Sequence, residues 1–206
     1  MLKAENLSRS YGREVLFHNL SLDLKIGESL AVVGQNGSGK STLLQILAGF
    51  LTPSAGSLVW KHPQKGWLNH APPGLVSIAA PYLELPESLT LPEIFYLQEG
   101  VVPFVEGMDW ETFEERMQLP GLRNKPFGAY SSGMRQKARL GLALWSSAPI
   151  CILDEPTSNL DGLGQAWFQK WTPLSTGSKL LILGSNHLTV EVELCGSVCS
   201  LSQFKS

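Results

Sequence analysis

The chain has 206 residues, 43% of them hydrophobic and 17% charged, with a net charge of −2. That length suits one domain with a subdomain, or two small domains, of an ordinary soluble globular protein. The near-neutral charge gives no strong pull toward nucleic acid or anionic lipid. The N-terminus lacks a signal-type apolar core and no apolar run is long enough to cross a bilayer, so any membrane role goes through a partner.

Residues 1–7 read as a strand and residues 8–12 as a turn. Residues 15–26 alternate apolar and polar at Leu20, Leu22, Leu24 and Ile26, the period of a half-buried strand. Tyr11 has two open readings: a ring stacked on a base, or a ring packed on its own sheet. Gly27-Glu28 then turns into a short buried strand, residues 29–33. It feeds Gly34-Gln35-Asn36-Gly37-Ser38-Gly39-Lys40-Ser41, followed by Thr42. This stretch fits G-x-x-x-x-G-K-[ST] at every fixed position. A helix over residues 40–48 follows, with Leu43, Leu44 and Leu47 apolar and Gly49 as its stop. The glycines let backbone N–H groups close around phosphate oxygens, and the helix N-terminus adds a favourable dipole. Lys40 supplies a point charge to the outer phosphates and the Ser41 hydroxyl suits Mg²⁺.

In the middle of the chain, residues 57–60 read as a short strand. Residues 62–74 are rich in Pro, Gly and Asn and read as a loop carrying His62 and His70 as solvated side chains. Further metal ligands at fixed spacing do not accompany them. Residues 75–80 read as a buried strand. Thr90-Leu91-Pro92-Glu93 has the form of a capping box and starts a helix through about residue 99. Asp109 caps a second helix over residues 110–117, ended by Pro120-Gly121. Residues 84–125 thus read as a small helical insertion. Phe95, Tyr96, Phe104, Trp110 and Phe113 either fill its core or offer a docking surface.

Toward the C-terminus, Tyr130-Ser131-Ser132-Gly133-Met134-Arg135-Gln136-Lys137 opens a helix that Ser131 or Ser132 caps, apolar through Leu140, Leu142, Leu144 and Trp145. Ile150-Cys151-Ile152-Leu153-Asp154-Glu155-Pro156 reads as a parallel strand ending in two acids, at the edge where open α/β sheets bind ligands. Asp154 suits Mg²⁺ through water, and Glu155 suits polarising an attacking water. Residues 180–183 form the next buried strand, and Gly184-Ser185-Asn186-His187 leaves it at the same edge. The three cysteines, Cys151, Cys195 and Cys199, read as reduced packing residues of a cytosolic protein.

Taken in order, these segments resemble the nucleotide-binding domain of an ATP-binding cassette (ABC) ATPase over residues 2 to about 201. Tyr11 falls at that family's adenine-stacking aromatic, and Gly34 to Thr42 at its Walker A loop. Tyr130-Ser131-Ser132-Gly133-Met134 falls where the family has Leu-Ser-Gly-Gly-Gln. Residues 150–155 match Walker B, Ser158-Asn159-Leu160-Asp161 the D-loop, and His187 the switch histidine. The resemblance implies an α/β fold with a P-loop NTPase, RecA-like core and a mainly parallel sheet. Residues 1–82 and 146–206 would form that core with an N-terminal antiparallel β subdomain, and residues 83–145 a helical subdomain. It also implies ATP and Mg²⁺ as cofactors, with Lys40, Glu155 and His187 catalytic. Tyr11, Gly34, Asn36, Gly37, Ser38, Gly39, Lys40, Ser41, Thr42, Asp154, Ser131 and Gly133 would hold nucleotide, with Ser41 and Asp154 at the metal.

The partners implied are a separate membrane permease and a second ATPase domain, identical or not, in a head-to-tail dimer sharing two ATP molecules; no nucleic acid is implied. The chain would sit in the cytoplasm, on the inner face of the membrane through the permease. Its short length and small insertion resemble compact bacterial export-type ATPases, including the haem-exporter type of cytochrome c biogenesis. Two departures stand out. The signature has Ser132 for glycine and Met134 for glutamine, and Ala79-Ala80-Pro81-Tyr82-Leu83-Glu84 lacks the glutamine that members carry after that strand. Alternatives are a soluble ABC ATPase acting on DNA, chromosomes or ribosomes, and a degenerate nucleotide-binding regulator. The long coiled coil or cysteine cluster common in the first is not in this sequence.

Overall fold

The computed structural model describes residues 1–62, 64–119, 121, 123–186 and 189–205. Two sheets organise the chain. The first is antiparallel, in the order β2-β1-β4-β5, built from β1 (Leu2–Tyr11), β2 (Glu14–Leu24), β4 (Ala55–His62) and β5 (Gly66–Leu68). The second is parallel, in the order β6-β7-β8-β3-β9, built from β3 (Ser29–Val33), β6 (Val76–Ala79), β7 (Ile150–Asp154), β8 (Leu180–Ser185) and β9 (Ser197–Ser200). This is the α/β arrangement expected.

The parallel strands read as continuous apolar runs because both faces of their sheet are covered. Side chains alternate between the faces. Ile150, Ile152, Leu180 and Ile182 join Leu30, Val32 and the buried face of α1 (Lys40–Leu47) in one core with the antiparallel sheet. Cys151, Leu153, Leu181 and Leu183 join the second core with α2 (Leu91–Val101), α3 (Trp110–Met117), α4 (Ser132–Leu144) and α5 (Gly162–Thr176). A last short helix, α6 (Thr189–Val192), follows β8.

The N-terminal strand runs past the expected turn. Ser8, Arg9 and Ser10 are polar, yet Arg9 pairs with Phe17 and Ser10 with Val15, so pairing overrides local propensity and the turn shrinks to Gly12-Arg13. β5 lies inside the stretch expected to be loop. The His62 Nδ1 accepts hydrogen bonds from the Gln64 and Lys65 N–H groups at 3.1 and 3.2 Å, so His62 closes the β4–β5 turn rather than standing free in solvent.

The helix starts follow their caps. Thr90 N–H donates to Glu93 Oε2 at 2.7 Å in a full capping box, and the Asp109 carboxylate accepts from Thr112 N–H at 2.8 Å. Of the five aromatic residues offered for docking, Phe95, Phe104, Trp110 and Phe113 are buried against one another, with Phe95 and Phe104 stacked at 4.2 Å. Tyr96 alone of the five remains exposed, because it sits one residue off the buried stripe of α2. All three cysteines are free thiols, Cys151 and Cys199 buried. Among the described residues, no helix is long and apolar enough to cross a membrane.

Candidate nucleotide site

The glycine loop leaves β3 and enters α1 through Gly39, whose φ of 99° lies in the left-handed region that a side chain disfavours. Gly39 is also the N-cap, so no side-chain cap satisfies the first N–H groups of α1, and its first turn carries no acid. An uncapped, uncompensated helix N-terminus beneath a glycine loop suits an anion. The Ser38 hydroxyl beside it is buried without a hydrogen-bond partner among the described residues.

Lys40 is buried, and its ammonium folds back over the loop. It donates to the carbonyls of Gly34 at 2.9 Å and Gln35 at 3.1 Å, and to the side-chain oxygen of Asn186. Burial pushes its pKa below the ordinary lysine value, while the Glu155 and Asp154 carboxylates pull it back up. Asp154 ends β7 and is 1% exposed. Neither of its carboxylate oxygens has a hydrogen-bond partner among the described residues, and burial pushes the carboxyl above its usual range, with the nearby Ser41 hydroxyl lowering it in part. A buried, unpaired carboxylate beside a serine hydroxyl is a donor set that fits Mg²⁺, a cation that takes one or two protein oxygens and fills its remaining positions with water and phosphate. Among the described residues no group of three His, Cys, Asp or Glu side chains could hold a metal ion.

Glu155 follows with φ at 46°, a left-handed conformation uncommon for a residue with a side chain. Such strain costs on the order of 1–3 kcal/mol and persists only where surrounding bonds hold it. Here Glu155 N–H donates to Gly184 O at 2.9 Å and its carbonyl accepts from Ser158 N–H at 3.0 Å. One turn on, Thr157 donates to the buried Glu191 carboxylate from both its N–H and its hydroxyl. The Glu155 side chain accepts from Asn186 Nδ2 at 3.0 Å.

The structure brings Tyr11, Asn36, Gly37, Gly39, Lys40, Ser41, Thr42 and Glu155 to one opening of about 480 Å³. Tyr11 is half exposed, with the guanidinium of Arg9 on the same strand 4.4 Å over its ring. Gly34, Ser38 and Asp154 are not part of that opening's lining. Ser131 and Gly133 line a separate opening of about 430 Å³ with Asn159 and Asp161. There Ser131 caps α4 by accepting from Met134 N–H at 3.3 Å, and a Cβ on Gly133 would meet Asn159 O at 2.7 Å. Within one chain the two groups therefore do not share a ligand. His187 lies outside the described residues.

Sequence reasoning passed over three residues. Gln136 is buried, and its amide donates to Pro156 O at 3.0 Å, tying α4 to the loop after β7. Its signal was a polar residue one turn before Leu140 on the apolar stripe of α4. Tyr82 sits in a turn closed by Leu83 N–H on Ala80 O, where the family glutamine is missing. Burial and the Asp154 carboxylate push its hydroxyl up to about 12, with the Gln45 side chain lowering it. Asn186 carried no signal at all.

The ABC transporter family profile matches residues 17–158. The chain belongs to the ABC transporter family. It is 30% identical over 196 residues to the lantibiotic transport ATP-binding protein SrtF of Streptococcus pyogenes, covering 94% of this chain and 82% of that one. It is 31% identical over 197 residues to the cytochrome c biogenesis ATP-binding export protein CcmA of Brucella abortus, covering 93% and 87%. Among solved structures, an ATP-binding cassette captured as a dimer in a post-hydrolysis state with ADP and Pi superposes with a TM-score of 0.77. It is 21% identical and covers 98% of this chain and 94% of that one, which supports the fold. This ABC protein is thus an ATP-binding subunit of a family that hydrolyses ATP.

Proposed function

We propose that this ABC subunit hydrolyses ATP on the inner face of a membrane to drive a separate permease, as one half of a head-to-tail pair of cassettes. The observation that carries the reading is that Asp154 and Glu155 leave β7, and Lys40 follows β3, at the same edge of the parallel sheet, while Ser131 and Gly133 face a different opening. A second cassette brings its own Ser131 and Gly133 over the nucleotide held by the first. Gly37, Gly39 and the N-terminus of α1 cradle the phosphates, Tyr11 stacks on the base, and Lys40 binds the outer phosphates. Ser41 and, through water, Asp154 would hold Mg²⁺, which would supply charge neutralisation at the phosphates. Glu155 orients the attacking water and takes its proton, and His187 adds charge stabilisation at the γ-phosphate.

A permease contact finds support in an apolar groove of about 340 Å³ between β6 and α2, lined by Val76, Ala80, Leu83, Val101, Val102 and Leu142. On the same helix Tyr96, Leu97 and Val101 stay exposed. The relatives named for lantibiotic transport and cytochrome c biogenesis export support a role in export. The test is ATPase activity of the whole chain alone and with a candidate permease co-expressed. Co-purification with stimulated turnover is expected. Nucleotide binding without turnover in either state would point instead to a regulator, which the missing glutamine after β6 favours.

A further inference from the structure

We propose that Asn186 is a positioning residue that latches Lys40 to Glu155 until the γ-phosphate of ATP displaces it. The proposal rests on the nucleotide-site reading above. Its ground is the order of the parallel sheet. β8 lies between β7 and β3, so the residue leaving β8 stands between the carboxylate after β7 and the lysine after β3. Asn186 uses both ends of its carboxamide there. The oxygen accepts from the Lys40 ammonium, and the nitrogen donates to Glu155 Oε1 at 3.0 Å.

An ammonium has three N–H donors. All three have acceptors: Gly34 O, Gln35 O and the Asn186 side chain. The first two are backbone atoms of the loop itself. Asn186 is the movable partner, and its oxygen occupies the position toward Lys40 that an outer phosphate oxygen must take. When the γ-phosphate takes that position, the carboxamide loses its anchor and Glu155 is released toward the attacking water. ADP lacks that phosphate, so Asn186 keeps Lys40 and Glu155 engaged. The latch thus couples release of the water-orienting carboxylate to the triphosphate alone.

The experiment is calorimetric titration of the whole chain with ATP and with ADP, each with Mg²⁺, for wild type, Asn186→Ala and Asn186→Asp. Removing a competing charge-assisted hydrogen bond should tighten ATP about threefold to tenfold in the alanine variant and leave ADP within about twofold. The aspartate strengthens the hold on Lys40 and repels the γ-phosphate, so ATP should weaken about tenfold or more, ADP less. The ratio of ATP to ADP affinity should therefore move in opposite directions in the two variants. A residue that only packs would change both nucleotides in parallel. An unchanged ratio in both variants overturns the latch while leaving the site intact. A wild-type chain that binds neither nucleotide overturns the site and the latch with it.

Discussion

Asp154→Asn separates what the site costs from what it does. The wild-type carboxylate is 1% exposed, and neither oxygen has a hydrogen-bond partner among the described residues. Burial disfavours its charge, and the Glu155 and Glu191 carboxylates add to that, against Ser41 and Lys40. An unsatisfied buried polar group costs about 1–3 kcal/mol, more when charged. Replacing it with a neutral amide of the same shape should recover on the order of 1 kcal/mol, or about 2–4 °C in melting temperature for a domain of this size. The variant should therefore melt higher than wild type without nucleotide. With Mg²⁺ and ATP the order should reverse. A ligand at a hundred times its dissociation constant stabilises by about 2.7 kcal/mol, and the variant lacks the anionic oxygen that would hold the metal through water. The assay is differential scanning fluorimetry of both proteins, with ATP and with or without Mg²⁺ or chelator. An asparagine variant that melts lower than wild type in the absence of ligand would refute the reasoning, since it would make Asp154 a structural residue.

Glu155→Gln should bind ATP yet lose about 10²-fold or more in turnover, as expected for a lost general base, and should dimerise with Mg²⁺ and ATP by light scattering; adding Ser131→Arg should abolish that dimer while monomer binding persists. Tyr11→Ala should weaken ATP and GTP to a similar degree, because stacking is tolerant of the base; unchanged affinity for both would remove Tyr11 from the site. Lys179 carries a testable pH signature. Its buried ammonium donates to Leu144 O at 2.7 Å and to Ser146 O, and burial lowers its pKa, with Cys151 opposing. The unfolded chain then holds that proton more tightly, so the desolvation cost is full at neutral pH and is relieved as pH rises through the lowered folded value toward 10.5. Wild type should gain stability relative to Lys179→Met across that alkaline window in urea melts, and parallel curves would show that Lys179 does not titrate there.

What the sequence made legible was local. The glycine loop, its strand and its helix are contiguous, and the caps at Thr90, Asp109 and Ser131 each span four residues, so each could be read from spacing and each is in place. The acids at the end of β7 could be placed at the ligand edge because a continuous apolar run implies a parallel strand. Period also failed where it was thin. The alternation in α2 did not say that Phe95 points inward and Tyr96 outward, since adjacent residues on a helix differ by about 100° and the insertion's partner faces were unknown. The polar run Ser8 to Ser10 reads as turn until β2 is set beside it.

Asn186 shows the deeper limit. It is 146 positions from Lys40 and 31 from Glu155, and nothing but strand order brings the three together. The parallel register sets Leu183 beside Leu153 and Gly184 beside Val32, so three chain exits meet at one edge. That edge concentrates what a fold ordinarily avoids: a left-handed glutamate, a buried carboxylate without partners and a buried ammonium. The cost is sustained because the strands behind it are buried on both faces and cannot shift singly. An edge so held is mechanically rigid yet electrostatically unfinished. On the function proposed above, a triphosphate and its cation would complete it, and binding would draw on charges already fixed in place rather than on ordering of the chain.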